Sequence, residues 1–398
     1  MQATQIINTH LKKMCQAIHK KRMTALMMMV EACIQGNKLS VTGLGRAVKN
    51  TVYEKHNIKR ADRLMGNFAL NQERGLLYRM MGKWIIGNQK QPVILVDWSD
   101  LSANRSFHLL RASLPVGGRA LALYDEVHPE KKLGNGTIEK RFLKRLKALL
   151  PKNCCPIIIT DAGYRTPWFN AVQNLGWNFV GRVGGHTMIT PQSKTDWIRV
   201  EQIFETATTQ PRYLGFIDLV KRNPLACHAY LLRKKKQGRI KKTVFGQRCE
   251  MKHSKKNAHR ERTPWLIVTS LTGGAAITKR VINLYKTRMQ IEESFRDIKN
   301  SRWGFSLDEA RVSTKFRYEN LLLVGVLATF AVWLTGKVAE LKNVHRQYQA
   351  NTVKKRNILS TFYLGSRVLN KQAFEIRRKD FKNALTALQN QFEAQCYA

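Results

Sequence analysis

The chain has 398 residues, of which 43% are hydrophobic, and it contains eight tryptophans. This composition excludes wholesale disorder, and the length predicts two to four folding units of roughly 100–150 residues each. Sixty-nine lysines and arginines against 27 acidic residues give a formal net charge of +42. Such self-repulsion opposes a compact state unless a polyanion neutralises it, so the charge favours a nucleic-acid partner over a membrane surface or an acidic protein.

The seven cysteines form no CxxC pair, and the first 16 residues lack an apolar secretory segment. We therefore expect a cytoplasmic protein with free thiols. One long apolar run, residues 321–335, is shorter than the roughly 20 residues that a membrane helix needs. It predicts a buried core helix, and we expect no membrane association.

The first 85 residues have a helical pattern and many basic side chains. One helix is predicted over residues 23–34, Gly36 and Asn37 interrupt it, and Ser40 can cap a second helix over 41–48. Two short helices around a turn fit a helix-turn-helix, which would bind DNA, but they also fit an ordinary helical bundle.

A different pattern begins at Pro92. The apolar run 93–96 predicts a buried strand that ends at Asp97, and two further strands are predicted over 106–113 and 120–125. A helix over 138–150 and a strand over 156–160, ending at Asp161, complete the order β-β-β-α-β. An acidic residue at the end of the first and of the fourth strand is typical of a ribonuclease-H-like sheet.

Residues 184–262 are poorly periodic and strongly basic, between a predicted strand at 179–183 and another at 265–269. Thirteen lysines and arginines but only two acids lie between Arg233 and Arg262. Such a run is commonly a solvated face or a mobile loop. In this chain we interpret it as an insertion whose charges follow a phosphate backbone.

A predicted helix over residues 284–299 carries an unusual stripe. At about 100° per residue, the stripe is about 60° wide and borders the apolar face of the helix. It contains Tyr285, Arg288, Glu292 and Lys299. The structural interpretation is an amphipathic helix in which Arg288 and Glu292, four residues apart, form an ion pair. Such a pair stabilises a helix by about 0.2–0.5 kcal/mol. Because two strand-end aspartates precede this helix, we favour a catalytic interpretation.

Phosphoryl transfer explains these residue types. Mg²⁺ prefers carboxylate oxygens and keeps several waters, so Asp97, Asp161 and Glu292 suffice as ligands for two ions. Asp100, Asp125 and Glu293 are weaker candidates for metal ligands. Asp100 lies past the predicted end of the first strand, Asp125 ends the third strand, and Glu293 points about 100° away from the stripe. A zinc site built on Cys249, His253 and His259 lacks a second cysteine at ligand spacing.

The spacing Tyr285-x2-Arg288-x3-Glu292-x6-Lys299 resembles the Y-x2-R-x3-E-x6-K signature of the insertion-sequence-four group of DDE transposases. The blocks VDWSD (96–100), TDAGYRTPW (160–168) and ANTVKKRNILS (350–360) are similar to that group as well. The similarity extends from HNIKRADRLMGN (56–67) to the C-terminal helices and is weakest at 233–262.

The resemblance implies that Asp97, Asp161 and Glu292 bind two Mg²⁺ ions, with Mn²⁺ as a substitute. It implies that Tyr285, Arg288 and Lys299 contact the transposon end, and that Trp265 stacks on a flipped base during hairpin formation. For Trp265, simple packing is the alternative. The implied partners are double-stranded DNA, as terminal inverted repeats and target, and a second copy of the chain on that DNA. The implied location is the bacterial cytoplasm, at the nucleoid.

We predict a multidomain α+β or α/β protein with a ribonuclease-H-like mixed sheet, a β-rich insertion, and helical N-terminal and C-terminal regions. The predicted segments are a helical DNA-binding domain (1–85), a split catalytic core (86–183 and 263–335), a basic insertion (184–262) and a helical C-terminal region (336–398). The predicted function is cut-and-paste transposition. The alternatives are an endonuclease of the same fold that does not join DNA, and a non-catalytic DNA-binding repressor.

Overall fold

The structure is a computed structural model that describes residues 3–101, 105–191, 195–235, 247, 250–251, 263–350, 352–353, 356–371 and 374–397. The chain forms two compact units, called here the first unit (Met1–Pro156 and Thr287–Tyr397) and the second unit (Ile157–Lys286). Most of the basic run 233–262 lies outside the described residues, and so do Cys249, His253 and His259. The five-segment division of the chain remains a prediction.

Helices open the first unit. They are α1 (Ala3–Met14), α2 (Lys20–Gly36), α3 (Val41–Ala47), α4 (Glu54–Met65) and α5 (Phe68–Ile86). Helix α3 begins where the sequence predicts, because the Ser40 side chain accepts a hydrogen bond from the Gly43 amide at 3.2 Å. A Cβ atom on Gly45 would lie 2.4 Å from Ile58 Cα, so only glycine allows α3 and α4 to pack this closely.

Three antiparallel strands follow in the spatial order β3-β2-β1. They are β1 (Val93–Asp100), β2 (Phe107–Pro115) and β3 (Ala120–Pro129), and helix α6 (Gly136–Leu149) comes after them. Gly117 and Gly118, with φ of +77° and +89°, form the β2–β3 turn in a conformation that favours glycine. This strand and helix order agrees with the order predicted from the sequence.

The predicted end of β1 at Asp97 is wrong. The strand continues to Asp100, and Asp97 pairs with Arg111 of β2 while Asp100 pairs with His108. The apolar run stops at Val96 because burial on both faces stops there, and the remaining four residues are only half-buried. Backbone pairing with the longer β2 nevertheless holds them in the strand.

The second unit is mostly sheet. Its described strands have the spatial order β4-β5-β10-β9-β8-β6-β7, with β4 and β5 parallel and the other pairs antiparallel. The strands are β4 (Ile157–Thr160), β5 (Asn178–Val183), β6 (Met188–Pro191), β7 (Ile198–Arg199), β8 (Arg212–Leu219), β9 (Leu225–Leu232) and β10 (Trp265–Thr269). Its helices are α7 (Thr166–Gln173), α8 (Val200–Ile203) and α9 (Thr278–Lys286). The insertion is therefore β-rich in its described part, as predicted.

Four helices complete the first unit: α10 (Met289–Lys299), α11 (Lys315–Leu341), α12 (Thr361–Lys371) and α13 (Arg378–Tyr397). Helix α11 contains the apolar run, and 89% of its most apolar window is buried inside the structure, so the predicted core helix is confirmed. N-terminal helices pack on it. The Asn320 amide donates to Met65 O at 3.0 Å, and Leu39 covers Gly325 so closely that a Cβ there would lie 2.7 Å from its side chain.

Charged side chains are buried between β2, β3, α5 and α11. Arg111 forms two hydrogen bonds of 2.7 and 2.6 Å with Asp125, and both side chains are at most 2% exposed. Arg74 of α5 pairs with Glu319 of α11 at 2.7 Å and also donates to Asp125 O. Removing one partner of such a pair leaves an uncompensated buried charge, so these contacts fix which elements meet.

The predicted fold class is confirmed. The chain is a mixed α and β protein with ten described strands and with helical N-terminal and C-terminal regions, consistent with a ribonuclease-H-like fold.

Helices α11 and α12 cross in close backbone contact, which gives a test of the packing. A Cβ on Gly365 would lie 1.9 Å from Val332 O, so we expect Gly365→Ala to destabilise the protein by about 1–3 kcal/mol or more. Gly75→Ala in α5 is the matched control. Its new methyl group would meet only Leu149 Cδ2, at 4.0 Å, and should stabilise by about 0.5–1 kcal/mol. Urea unfolding of both variants, followed by circular dichroism, measures the two changes. Equal shifts of the two urea midpoints would contradict the close contact between α11 and α12.

Glu126 should make the free energy of unfolding depend on pH in the acidic range. Burial alone would raise its pKa, but hydrogen bonds from His128, Arg145 and Tyr124 outweigh burial and lower the pKa to about 2. A lowered carboxyl pKa adds stability above the unfolded value near 4.5, and that stability is lost as pH falls toward 2. We expect Glu126 to contribute about 3 kcal/mol to this loss. Urea unfolding of Glu126→Gln between pH 6 and 2 should show a correspondingly flatter profile, and an unchanged slope would contradict the assignment.

Candidate catalytic carboxylates

Helix α10 lies against the sheet of the first unit and carries Glu292. Its apolar residues Ile291, Phe295 and Ile298 are buried. The Ser294 hydroxyl accepts a hydrogen bond from the Ala120 amide at 2.5 Å and fixes the helix at the start of β3. The helix is therefore positioned by both apolar packing and a specific backbone contact.

Asp97 and Glu292 meet at the guanidinium of Arg288. Arg288 Nη1 lies 2.5 Å from Glu292 Oε1 and 3.7 Å from Asp97 Oδ2, so the two carboxylate oxygens cannot be farther apart than the sum of these distances. The Asp97 and Arg288 side chains are 14% and 15% exposed, and Glu292 is 42% exposed. Two acidic groups that are distant in the sequence thus converge at a partly open position.

Lys299 makes a second contact between α10 and β1. Its Nζ donates to Ser99 Oγ at 2.9 Å. Ser99 is two residues after Asp97, so both side chains point to the same face of the strand. Burial lowers the pKa of Lys299, an effect that Asp308 and Asp100 partly oppose. Arg288, Glu292 and Lys299 therefore share one face of α10, which faces Asp97 and Ser99.

Asp161 directly follows β4 in the second unit. Its side chain accepts a hydrogen bond from the Gly163 amide at 2.8 Å, which shapes the turn before α7. A Cβ on Gly163 would lie 3.0 Å from Asp161 Oδ1, so the turn leaves little room for a side chain there. Asp161 is half-buried. Of the three predicted carboxylates, it is the one at a strand end, as the sequence suggested.

The predicted single helix over 284–299 is wrong. Helix α9 ends at Lys286 and α10 begins at Met289, with a turn at Thr287 and Arg288. Hydrogen bonds from Gln290 N to Thr287 O and from Ile291 N to Arg288 O span only three residues, so the regular four-residue pattern is interrupted. Hydrophobic periodicity continues through such a short break, which is why the sequence did not reveal it.

The break separates Tyr285 from the rest of the stripe. Tyr285 belongs to the second unit, is 4% exposed, and packs edge-to-face on Trp265 with the ring centroids 5.0 Å apart. Trp265 begins β10, is 8% exposed, and has Lys234 Nζ 4.2 Å above its ring. The two aromatic residues thus form one buried cluster. A role for either side chain on DNA remains a prediction.

A family model described as a transposase DDE domain matches residues 88–330, more than half of the chain, and this range contains all three candidate carboxylates. The chain belongs to the transposase DDE domain family. No curated protein matches the sequence significantly. As a member of this family, the chain is a DNA-binding enzyme of the transposase type, and such enzymes generally use divalent metal ions.

The carboxylates of Asp97 and Glu292 have the donor chemistry that suits the divalent ions generally used by DDE transposases. Asp97 and Glu292 already share one cation, the Arg288 guanidinium, and hard divalent ions prefer such carboxylate oxygens. Within the described ranges, no group of three or more His, Cys, Asp or Glu side chains is gathered closely enough to hold a metal. Asp97 and Glu292 belong to the first unit and Asp161 belongs to the second.

The competing acidic residues have other partners. Asp125 is fully buried in its pair with Arg111. Asp100 contacts His108 at 3.0 Å and Arg105 at 3.3 Å, and it lies three residues from Asp97, on the opposite face of β1. Glu293 pairs with Arg296 at 2.8 Å. Each therefore has a structural explanation in this DDE transposase.

Sequence reasoning missed Ser99 and Ser294 as positioning residues. Ser99 receives Lys299, and Ser294 fixes α10 on β3. Ser99 could have been found from the two-residue period of a strand that continues past Asp97. No comparable signal marks Ser294, because its partner is a backbone amide from a distant segment.

Arg288 acts as a counter-ion between the two carboxylates, so its removal should favour a metal ion. We expect Arg288→Gln to bind Mn²⁺ about tenfold more tightly in the DNA-free protein, because one competing positive charge at the ligands is lost. Mn²⁺ titration followed by electron paramagnetic resonance measures the affinity. Arg317→Gln, which breaks the pair with Asp62, is the control and should bind as the parent does. Weaker Mn²⁺ binding by Arg288→Gln would mean that Arg288 is needed to hold the ligands in place.

Proposed function

We propose that this DDE transposase is a cut-and-paste enzyme of the insertion-sequence-four group, close to the transposon-ten transposase. The observation that carries the proposal is the convergence of Asp97 and Glu292 on Arg288 within the range matched by the family model. In this proposal Asp161 completes the triad, and the three carboxylates hold two Mg²⁺ ions, for which Mn²⁺ can substitute. When bound, these ions activate the attacking oxygen and stabilise the leaving one.

The proposed reaction is a series of displacements at phosphorus. Water first cleaves one strand at the transposon end and leaves a 3′-hydroxyl. That hydroxyl attacks the opposite strand, which forms a hairpin end and releases the 3′-oxygen of the flanking DNA. Water reopens the hairpin, and the same 3′-hydroxyl then attacks target DNA. Because each step exchanges one phosphodiester oxygen for another, a single site can serve all of them.

The residues around the carboxylates would position the DNA strand. Arg288 can donate two parallel hydrogen bonds to a phosphate, and Lys299 supplies a further positive charge on the same face of α10. Trp265 and Tyr285 are proposed to act at the flipped base, where stacking is worth about 1–3 kcal/mol per base. Since both rings are buried, this role requires them to become accessible when DNA binds.

Helix α4 is the element best suited to bind the transposon end. Four of its basic side chains are exposed: Lys55, Lys59, Arg60 and Arg63. Its opposite side is buried, with Ala61 and Leu64 in the core, so the basic side faces outward. The predicted helix-turn-helix corresponds to α2 and α3, and in this proposal α4 adds its basic side when the N-terminal helices bind terminal inverted repeats. Two ends must be held together, so we propose a homodimer on DNA, located at the nucleoid in the bacterial cytoplasm.

A joining assay separates this proposal from its alternatives. The protein is incubated with Mg²⁺, a duplex carrying the terminal repeat, and supercoiled plasmid. We expect nicked, hairpin-ended and plasmid-joined products. Cleavage without joined products would indicate an endonuclease, and binding without cleavage would indicate a repressor.

Asp97→Asn and Asp100→Asn form a matched pair of variants for the same assay. Both replace a carboxylate on β1, but Asp97 faces Arg288 whereas Asp100 is on the other face of the strand. We expect Asp97→Asn to abolish cleavage and to bind end DNA normally in gel-shift titrations, and Asp100→Asn to cleave as the parent does. Equal cleavage by Asp97→Asn and the parent would refute the assignment of the triad.

A further inference from the structure

An exposed tryptophan lies next to the catalytic helix and has no role in the reaction described above. Trp303 is 54% exposed, and the Arg302 guanidinium covers part of its ring at 4.8 Å from the centroid. Tyr363 packs edge-to-face against it at 5.6 Å. Tryptophan and arginine are enriched among the residues that contribute most to binding at interfaces, so this pair is a candidate binding position.

The backbone around Trp303 is firmly held. The Asn300 side chain accepts hydrogen bonds from the amides of Arg302 and Trp303, both at 2.8 Å. The next residue, Gly304, packs directly on the end of α10, where a Cβ would lie 1.8 Å from Asp297 O. The loop thus presents Trp303 in one orientation, which reduces the entropy lost when a ligand stacks on it.

Trp303 borders a groove of about 650 Å³ in the first unit. The groove is lined by the β2–β3 turn at residues 117–119, by the α10 region, and by the segment after residue 357. The α10 region contributes Arg296, Asp297 and Asn300, and the later segment contributes Ile358, Leu359, Ser360, Phe362 and Tyr363. The block ANTVKKRNILS (350–360), which the sequence analysis singled out, ends at this groove. Arg356 from that block is exposed, as are Arg296 and Arg302.

The charge of this rim indicates which ligand it fits. Arg296 pairs with Glu293 at 2.8 Å and Arg119 with Asp297 at 2.5 Å, whereas no carboxylate among the described residues is paired with Arg302. The whole chain carries a net charge of +42. A basic rim around an aromatic surface is complementary to a nucleic-acid strand, whose phosphates meet the cations while a base meets the ring. A second copy of this basic chain would bring like charges together here.

The groove adjoins the catalytic face of α10. At about 100° per residue, Arg296 lies about 40° and Asn300 about 80° around the helix from Glu292. The distance along the helix from Glu292 to Asn300 is about 12 Å at 1.5 Å per residue, which corresponds to about three to four stacked nucleotides. A strand with its scissile phosphate at Glu292 can therefore continue over Arg296 to Trp303.

We propose that Trp303, supported by Arg302, is a stacking platform for an unpaired DNA base about three to four nucleotides from the scissile phosphate. The inference rests on the proposed function only in that DNA is acted on at Asp97 and Glu292. It assigns a second base-binding position, in the first unit, in addition to the one proposed for Trp265 in the second unit.

Photochemical cross-linking tests the platform. The full-length protein is bound, without divalent metal, to duplexes that carry the terminal repeat and continue into a single-stranded flank, with 5-iodouracil placed at one position of that strand at a time. We expect the strongest cross-link to Trp303, identified by mass spectrometry, about three to four nucleotides from the cleavage position. No cross-link to Trp303 at any position would overturn the proposal, and this result requires no variant to fold.

Variants provide the second arm of the experiment. We expect Trp303→Ala to weaken DNA binding about tenfold and Trp303→Phe to retain most of it, because the phenyl ring still stacks. Leu341→Ala, which removes another exposed apolar side chain of the first unit, is the control and should bind as the parent does. Unchanged DNA binding by Trp303→Ala would reject the platform. A change in sedimentation together with unchanged DNA binding would reject it as well and assign the groove to a second copy. The cross-linking and binding experiments contain no metal, so a negative result there does not contradict the proposed cutting and joining reactions. Conversely, a negative joining assay does not prevent a cross-link to Trp303 from being interpreted.

Discussion

The attachment of the short helix α10 to strands β1 and β3 is the constraint on which the proximity of Asp97 and Glu292 depends. Helix α10 is held to the sheet by Ser294 at one strand and by Lys299 at another, and its apolar side is buried beneath it. These contacts fix both the position and the rotation of the helix. Glu292 consequently points toward Asp97, and the Arg288 guanidinium contacts both carboxylates. A rotation of one residue would move Glu292 by about 100° and separate the two carboxylates.

The core of the first unit, between β2, β3, α5 and α11, contains several buried charged side chains. The Arg111–Asp125 and Arg74–Glu319 pairs are buried, and a third group of polar side chains surrounds Glu126. Well-packed apolar residues would stabilise such positions equally well or better, so these pairs are better understood as specifying which elements meet. Arg74 connects α5 to both α11 and β3, and this fixes the N-terminal helices to the sheet that carries Asp97.

The sequence predicted most elements of the fold because their periodicity and caps are local. The helix cap at Ser40 and the apolar strand that begins at Val93 both appear in the structure. Two errors have different origins. Backbone pairing with β2 continued β1 past the end of its apolar run, so Asp97 lies inside the strand, whereas the helix before Glu292 is interrupted at Thr287 without a change in its hydrophobic pattern. The partners Ser99 and Ser294 could be identified only from contacts between distant segments.

The long helix α11 has a consequence for the synthesis of the protein. Met65, Asn71 and Leu39 all obtain their buried partners from residues of α11, which the ribosome produces only after most of the chain. At roughly 5–20 residues per second, the emerging N-terminal helices wait tens of seconds for the surface that completes them. The first unit can therefore finish folding only late in translation, and a chain that stops before residue 315 leaves its N-terminal helices without their central support.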